Sequence, residues 1–244
     1  MTNKTILITG ATAGIGLAAA THFIDQGWRV VITGRNRSKL NEVATRLGDN
    51  VIAMLCDSED LSAIEALAIS LQSQDVFLDA LVLNAGVFHP TTVPGTTVED
   101  FDKTMSINVR GPFFTLQSLL PQLRNPCSVV LLSSLIVNKA FAGASLYAAS
   151  KGALEGLMGG LNLDLAAKGI RINALRPGVT HTEIQGKAGM SDDDIAGLKH
   201  VMSDTPLGRI MVAEDLVSAL DYLVSPASIA MRGATMDIDG GMGL

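Results

Sequence analysis

Seven short runs, at residues 5–9, 29–33, 51–55, 78–83, 128–132, 171–175 and 234–238, are apolar on both faces and rich in β-branched side chains. Strands buried under helices on both sides of a parallel sheet read this way, because neither face meets water. Between the runs lie stretches with helical spacing of apolar positions, beginning near Gly14, Ser38, Leu61, Val98, Pro112, Ser145 and Ala213. Each is long enough to cross back over a sheet. Strict alternation of this kind predicts an α/β chain: a Rossmann-type, doubly wound parallel sheet of about seven strands with helices on both faces. No repeat, low-complexity tract or Pro/Ser-rich linker interrupts it, so residues 1–244 read as one dinucleotide-binding domain.

The alternation slips once, at residues 183–205, where an insertion separates a strand from the last helix. Ser191 followed by Asp192, Asp193 and Asp194 predicts a helix start there, since a hydroxyl and a carboxylate three positions apart can cap one another and acids suit a helix N-terminus. Ile195, Leu198 and Met202 then form a one-sided apolar stripe that could close over a ligand as well as over the core.

The first strand runs into Thr9-Gly10-Ala11-Thr12-Ala13-Gly14-Ile15-Gly16. Gly10 permits a tight turn, Gly14 lets the backbone approach a pyrophosphate, Gly16 allows close packing of helix and strand, and the helix amides that follow can hold an anion. A glycine loop alone is weak evidence; between the first strand and first helix of an alternating chain it predicts nucleotide binding. Folds that bind NAD carry an acid about 20 residues further on, at the end of the second strand, for the ribose 2′-hydroxyl. This chain has Thr33-Gly34-Arg35-Asn36-Arg37 there. With no carboxylate to repel a 2′-phosphate and a guanidinium to hold one, Arg35 and Arg37 favour NADP(H) over NAD(H), the alternative being that both are solvated surface charges.

Tyr147 and Lys151 are four positions apart at the start of a helical stretch, so phenol and ammonium share a face. An unperturbed phenol, with a pKa of about 10, is a poor proton carrier at neutral pH. A neighbouring ammonium, joined by the positive nicotinamide of an oxidised cofactor, is expected to stabilise its phenolate and make it a usable acid and base.

Hydrophobic residues make up 48% of the chain and charged ones 17%, with a mean hydropathy of +0.34, which suits a globular core. A net charge of −6 with scattered Lys and Arg disfavours nucleic acid. Cys56 and Cys127 lack neighbours at metal-ligand spacing and read as buried thiols in a reduced compartment, so no metal is expected. The start, Met1-Thr2-Asn3-Lys4-Thr5, passes directly into an apolar run without room for a signal peptide, and no stretch reaches bilayer length; a cytoplasmic location with no membrane contact is the expectation.

Together these motifs resemble the short-chain dehydrogenase/reductase family, in its form of about 250 residues, over essentially the whole chain. The glycine loop, Asn84-Ala85-Gly86 closing strand four, Asn108 in the next helix, Ser134 at the end of strand five, Tyr147 thirteen positions later, Lys151, Arg176-Pro177-Gly178 after strand six and Asp237-Ile238-Asp239-Gly240-Gly241 fall in the family's order. The resemblance implies an enzyme that interconverts a ketone or aldehyde and an alcohol. Tyr147 would act as general acid and base, Ser134 would donate to the substrate oxygen, Lys151 would bind the nicotinamide ribose, and Asn108 would hold a water linking Lys151 to solvent or simply kink its helix. For the cofactor it implies Gly10, Thr12, Ala13, Gly14, Ile15, Gly16, Arg35, Arg37, Asp57 at the adenine, Asn84, Ala85, Gly86, Pro177, Gly178, Val179 and Thr182. Substrate-pocket candidates are His89, Leu135, Ile136, Asn138, Phe141, Ile184 and Met202, a mostly apolar set suited to a hydrophobic ketone, with His89 open to being an ordinary loop histidine.

Gly152, Gly156, Gly159 and Gly160 in the helix after Tyr147 need a reason, because glycine costs a helix about 1 kcal/mol relative to alanine. Close approach by another helix supplies one, and the family's habit implies a homotetramer, or a dimer. Two further readings stay open: an NADP(H)-binding sensor that lost its chemistry, and an epimerase or dehydratase on the same scaffold.

Overall fold

In β1 (Thr5–Ile8), Ile6 and Ile8 face one way and Leu7 the other, and all three are fully buried, so one strand feeds two cores. The computed structural model describes residues 4–244, and the part of the amino-terminal expectation that rests on residues 1–3 lies outside the described residues. After β1 the chain alternates through α1 (Gly14–Asp25), β2 (Arg29–Gly34), α2 (Arg37–Leu47), β3 (Val51–Leu55), α3 (Leu61–Ser73) and β4 (Leu78–Leu83). It continues through α4 (Val98–Met105), α5 (Gly111–Leu119), β5 (Leu123–Leu132), α6 (Ser145–Asp164) and β6 (Ile170–Pro177). The short strand β7 (Thr180–His181) leads into the insertion, which holds α7 (Glu183–Lys187) and α8 (Asp192–Ser203), and β8 (Met211–Val212), α9 (Val217–Val224) and β9 (Thr235–Ile238) close the chain.

The main sheet has seven parallel strands in the order β3-β2-β1-β4-β5-β6-β9. One core, around Phe23, Val30, Leu40 and Leu220, lies under α1, α2 and α9; the other, around Leu67, Leu81, Leu119 and Leu154, lies under α3, α5 and α6. Because the order reverses between β1 and β4, the loops at the carboxyl ends of these strands diverge and leave a crevice, where such sheets bind their ligands.

The predicted elements are present with shifted ends. β5 begins at Leu123 instead of 128; residues 124–126 are exposed, so they lack the two-faced apolar signature, and Leu123 pairs with Leu78 across a register shift. β6 runs on through Pro177, because Arg176 and Pro177 pair with Asp237 and Ile238 of β9. The last helix begins at Val217, with residues 213–216 in a tighter turn that leads into it. Between α4 and α5 the chain makes a π-helical turn, Ser106–Arg110, around Asn108. Ser191 caps α8 as expected, its hydroxyl and the Asp194 carboxylate bonding reciprocally to each other's backbone amides.

Candidate active site

The turn after β1 is held by its neighbours. The Thr9 hydroxyl accepts from the amides of Asn84 and Ala85, both at 3.0 Å, and the Asn84 amide group donates to the carbonyls of Thr9 and Gly10. Gly10 sits at φ +64°, where an L side chain is strained, and a Cβ on Gly16 would stand 2.5 Å from Asn84 Nδ2. These contacts fix α1 with its N-terminus at the crevice. α1 has no side-chain cap, so its first amides, which face the crevice, have no side-chain partner. Uncapped amides at a glycine turn suit a pyrophosphate.

A cleft of about 660 Å³ opens there. It is lined by Gly10, Thr12, Ala13, Gly14 and Ile15 of the loop, by Arg35 and Asp57 beyond β2 and β3, by Asn84, Ala85 and Gly86 after β4, and by Pro177, Gly178, Val179 and Thr182 after β6. Ser134, Tyr147 and Lys151 line the same cleft, as do Leu135, Ile136, Phe141, Ile184 and Met202. Gly16, Arg37, His89, Asn108 and Asn138 do not. Arg37 is exposed in the first turn of α2, where Asn36 caps the helix; Asn138 is exposed at the end of the turn after β5; and His89 lies far enough along the loop after β4 to face Asp100.

Around the phenol the groups are arranged in layers. Ser134 Oγ accepts from the Ile136 amide at 3.3 Å, which leaves its own proton free to donate. The Phe88 ring packs on Tyr147 with centroids 5.0 Å apart. Lys151 Nζ lies 5.7 Å from the Tyr147 ring centroid and donates to the Leu132 carbonyl at 2.7 Å. The Asn108 carboxamide is fully buried and bonded to protein: Oδ1 accepts from the Val87 amide at 2.8 Å, and Nδ2 donates to the Val87 carbonyl and to Ser150 Oγ. Ser150 Oγ in turn donates to the Tyr147 carbonyl. Asn108 thus ties the loop after β4 to the helix that carries Tyr147 and Lys151.

Burial pushes the Tyr147 phenol up to about 12, with Ser134 pulling weakly the other way, and pulls the Lys151 ammonium down to about 8. Burial therefore holds the phenol in its protonated form.

Several lining residues escape the sequence motifs. Phe88 follows the Asn84-Ala85-Gly86 motif by two positions, and Met242 follows the closing Gly240-Gly241; each could have been found by continuing past its motif. Ser133, Met190 and Val201 carry no such marker, whereas Leu198 lies in the apolar stripe that the sequence marks as able to close over a ligand.

A parallel sheet of this order, with a glycine turn at its switch point and Ser134, Tyr147 and Lys151 on one cleft, is the arrangement of an oxidoreductase class. Comparison with known proteins gives the family. The family model for enoyl-(acyl carrier protein) reductase matches residues 10–243. An oxidoreductase of Sarocladium schorii is 32% identical over 244 residues, covering 99% of this chain and 96% of that protein. The 3-oxoacyl-[acyl-carrier-protein] reductase of Rickettsia prowazekii is 30% identical, covering 99% and 98%. Among solved structures, a short-chain dehydrogenase/reductase from Brucella melitensis superposes with a TM-score of 0.90 at 29% identity, covering 98% of this chain and 96% of that one. The chain belongs to the short-chain dehydrogenase/reductase family and is an oxidoreductase of it. No helix among the described residues is long and apolar enough to cross a membrane.

Proposed function

We propose that this protein is an NADP(H)-dependent reductase or dehydrogenase that interconverts a carbonyl and an alcohol, with Tyr147 as the proton donor and acceptor. The observation that carries this reading is the convergence of Tyr147, Ser134 and Lys151 on one cleft with the uncapped N-terminus of α1. The chain's residues fit a dinucleotide: the α1 amides suit its pyrophosphate, Asp57 and Arg35 its adenosine end, and Lys151 its nicotinamide ribose. When bound, that cofactor supplies or removes the hydride.

The residues do the rest. Ser134, with its oxygen already engaged by the Ile136 amide, donates to the substrate oxygen, where charge develops. Tyr147 gives that oxygen its proton in reduction, a task for which a phenol held protonated is suited. Phe88 and the buried Asn108 clasp fix the phenol's position. In the oxidative direction the phenolate needs positive charge from Lys151 and an oxidised nicotinamide to offset its desolvation.

Arg35 lines the cleft where an NAD-binding chain would place its acid and makes no ion pair among the described residues, which supports NADP(H). Arg35→Asp should move the ratio of the NADPH and NADH Kd values toward NADH, and an unchanged ratio would overturn the assignment. The insertion at residues 183–205 is read as the substrate cover. On α6, a Cβ placed on Gly152, Gly156, Gly159 or Gly160 would meet nothing within 4 Å, so these glycines present a flat helix face outward. That supports assembly through α6 into a homo-oligomer; a light-scattering mass near 25.5 kDa would reject it.

NADPH consumption over a panel of ketones and aldehydes tests the function. Turnover that Tyr147→Phe abolishes is expected; a protein that binds NADPH yet turns over no carbonyl would instead fit a sensor.

A further inference from the structure

Beside Ser134 the wall of the cleft comes from chain segments far apart in sequence. Leu135, next to Ser134, packs against Met202 of α8 and Met242 of the carboxyl-terminal segment, and all three are less than a tenth exposed while still lining the cleft. Phe88 and Phe141 line the same cleft. The charged side chains that line it are otherwise engaged or distant. Arg35 and Asp57 lie beyond β2 and β3, Lys151 is held by Leu132, and Glu183 and Lys187 pair with each other at 3.0 Å.

The segment carrying Met242 is built to stay in place. Asp239 accepts from the Gly241 and Gly243 amides through its two carboxylate oxygens, each at 2.8 Å, and the Met242 carbonyl accepts from Lys139 Nζ. Gly241, at φ +81°, lies so close to Pro206 that a Cβ would stand 2.6 Å from it, so the segment is docked on the residues that follow α8. Wall and lid therefore form one unit. Methionine suits such a wall, because its unbranched thioether repacks around apolar surfaces of differing shape.

We propose that the substrate is an uncharged, apolar ketone or the matching secondary alcohol, and that Met202 and Met242 set how large it can be. This rests on the oxidoreductase reading above. In reduction, the carbonyl carbon accepts a hydride from the reduced nicotinamide cofactor, the carbonyl π pair takes the Tyr147 proton, and the cofactor ends oxidised by two electrons. Tyr147 recovers a proton from solvent. A thioester delivered on an acidic carrier protein, the substrate named for the Rickettsia relative, fits less well. Residues 183–205 carry five carboxylates, three of them consecutive in the first turn of α8, against two lysines, so the cover would repel an acidic partner.

The test uses the full-length chain with NADPH and three substrates: butanone, 1-tetralone, and acetoacetyl thioester on acyl carrier protein. The account expects kcat/KM to be highest for 1-tetralone. It also expects Met242→Ala and Met202→Ala to raise kcat/KM for ketones bulkier than tetralone relative to tetralone by about tenfold, the usual scale for reshaping an apolar pocket. Preference for the carrier-bound thioester would overturn the substrate class while leaving the oxidoreductase reading standing, and an unchanged size preference in Met242→Ala would overturn the role of the wall. Absence of turnover with all three, NADPH binding being intact, would sink both. The wild-type substrate ranking keeps the proposal testable should the Met202 variant fail to fold.

Discussion

Lys39 Nζ stands 2.6 Å from the Glu183 carboxylate, so the first turn of α2 is joined to the first residue of α7. Glu183 lines the cleft, and just before it the Thr182 side chain lies against Gly14 at the start of α1. The contact therefore straps the insertion down beside the turn proposed to hold the pyrophosphate. Lys39 and then Lys187 hold the Glu183 carboxyl below the usual carboxylate range.

Loosening this strap should speed cofactor release. Both side chains are a third or more exposed, so the pair contributes at most about 1 kcal/mol. Glu183→Gln and Lys39→Met are each expected to raise the NADPH dissociation rate by up to about fivefold in stopped flow, with the effect fading at high salt. Wild-type release rates independent of salt would count against the strap.

Lys151 should cost the fold stability that its function requires. Its ammonium, pulled from 10.5 to about 8 by burial, is disfavoured in the folded state, so the folded chain gives up its proton first. Stability consequently rises as pH goes from about 8 to 10.5 and is lost as pH falls through the folded value. Tyr147 acts in the opposite sense: its raised pKa favours the folded chain below 10 and withdraws that support between 10 and about 12. Lys151→Met should be more stable at neutral pH, by on the order of 2–3 kcal/mol in denaturant unfolding, and nearly inactive. Equal or lower stability would mean that the hydrogen bond to Leu132 outweighs desolvation.

Beside the reacting groups, Glu155 on α6 receives the Arg176 guanidinium on both carboxylate oxygens and the Ser133 hydroxyl on one of them. Arg176 reaches onward to Asp237 of β9 at 3.4 Å. This nearly buried pair locks β5, α6 and β6 where Ser134, Tyr147 and Lys151 must meet. Glu155→Gln leaves the guanidinium short of a partner and should destabilise the chain by about 3 kcal/mol; Glu155→Gln with Arg176→Met should recover much of that loss. Additive losses in the double variant would show that the two side chains act independently.

Much of this was legible in the sequence because it depends on local pattern. Strands β1 to β4 and β6 are apolar on both faces, and the glycine loop, Tyr147, Lys151 and Ser134 are held at short, fixed spacings. What depends on distant partners was not legible. The polar start of β5 exists through its pairing with Leu78, and Met242 joins Met202 and Leu135 only when the carboxyl-terminal segment folds back. Arg37, His89 and Asn138 were drawn in by proximity to motifs, although helix phase and loop length turn them away from the cleft. The burial that raises the Tyr147 phenol was not legible, because spacing reveals a neighbouring charge and not the depth of burial.

The central claim is proton transfer by Tyr147, and the most direct test compares wild type with Tyr147→Phe for NADPH consumption on a ketone that the wild type reduces, with NADPH Kd measured on both. The account predicts a loss of at least about 100-fold in kcat, the usual scale for a general acid, with Kd within about twofold. A phenylalanine variant that binds NADPH normally and keeps wild-type kcat would contradict it.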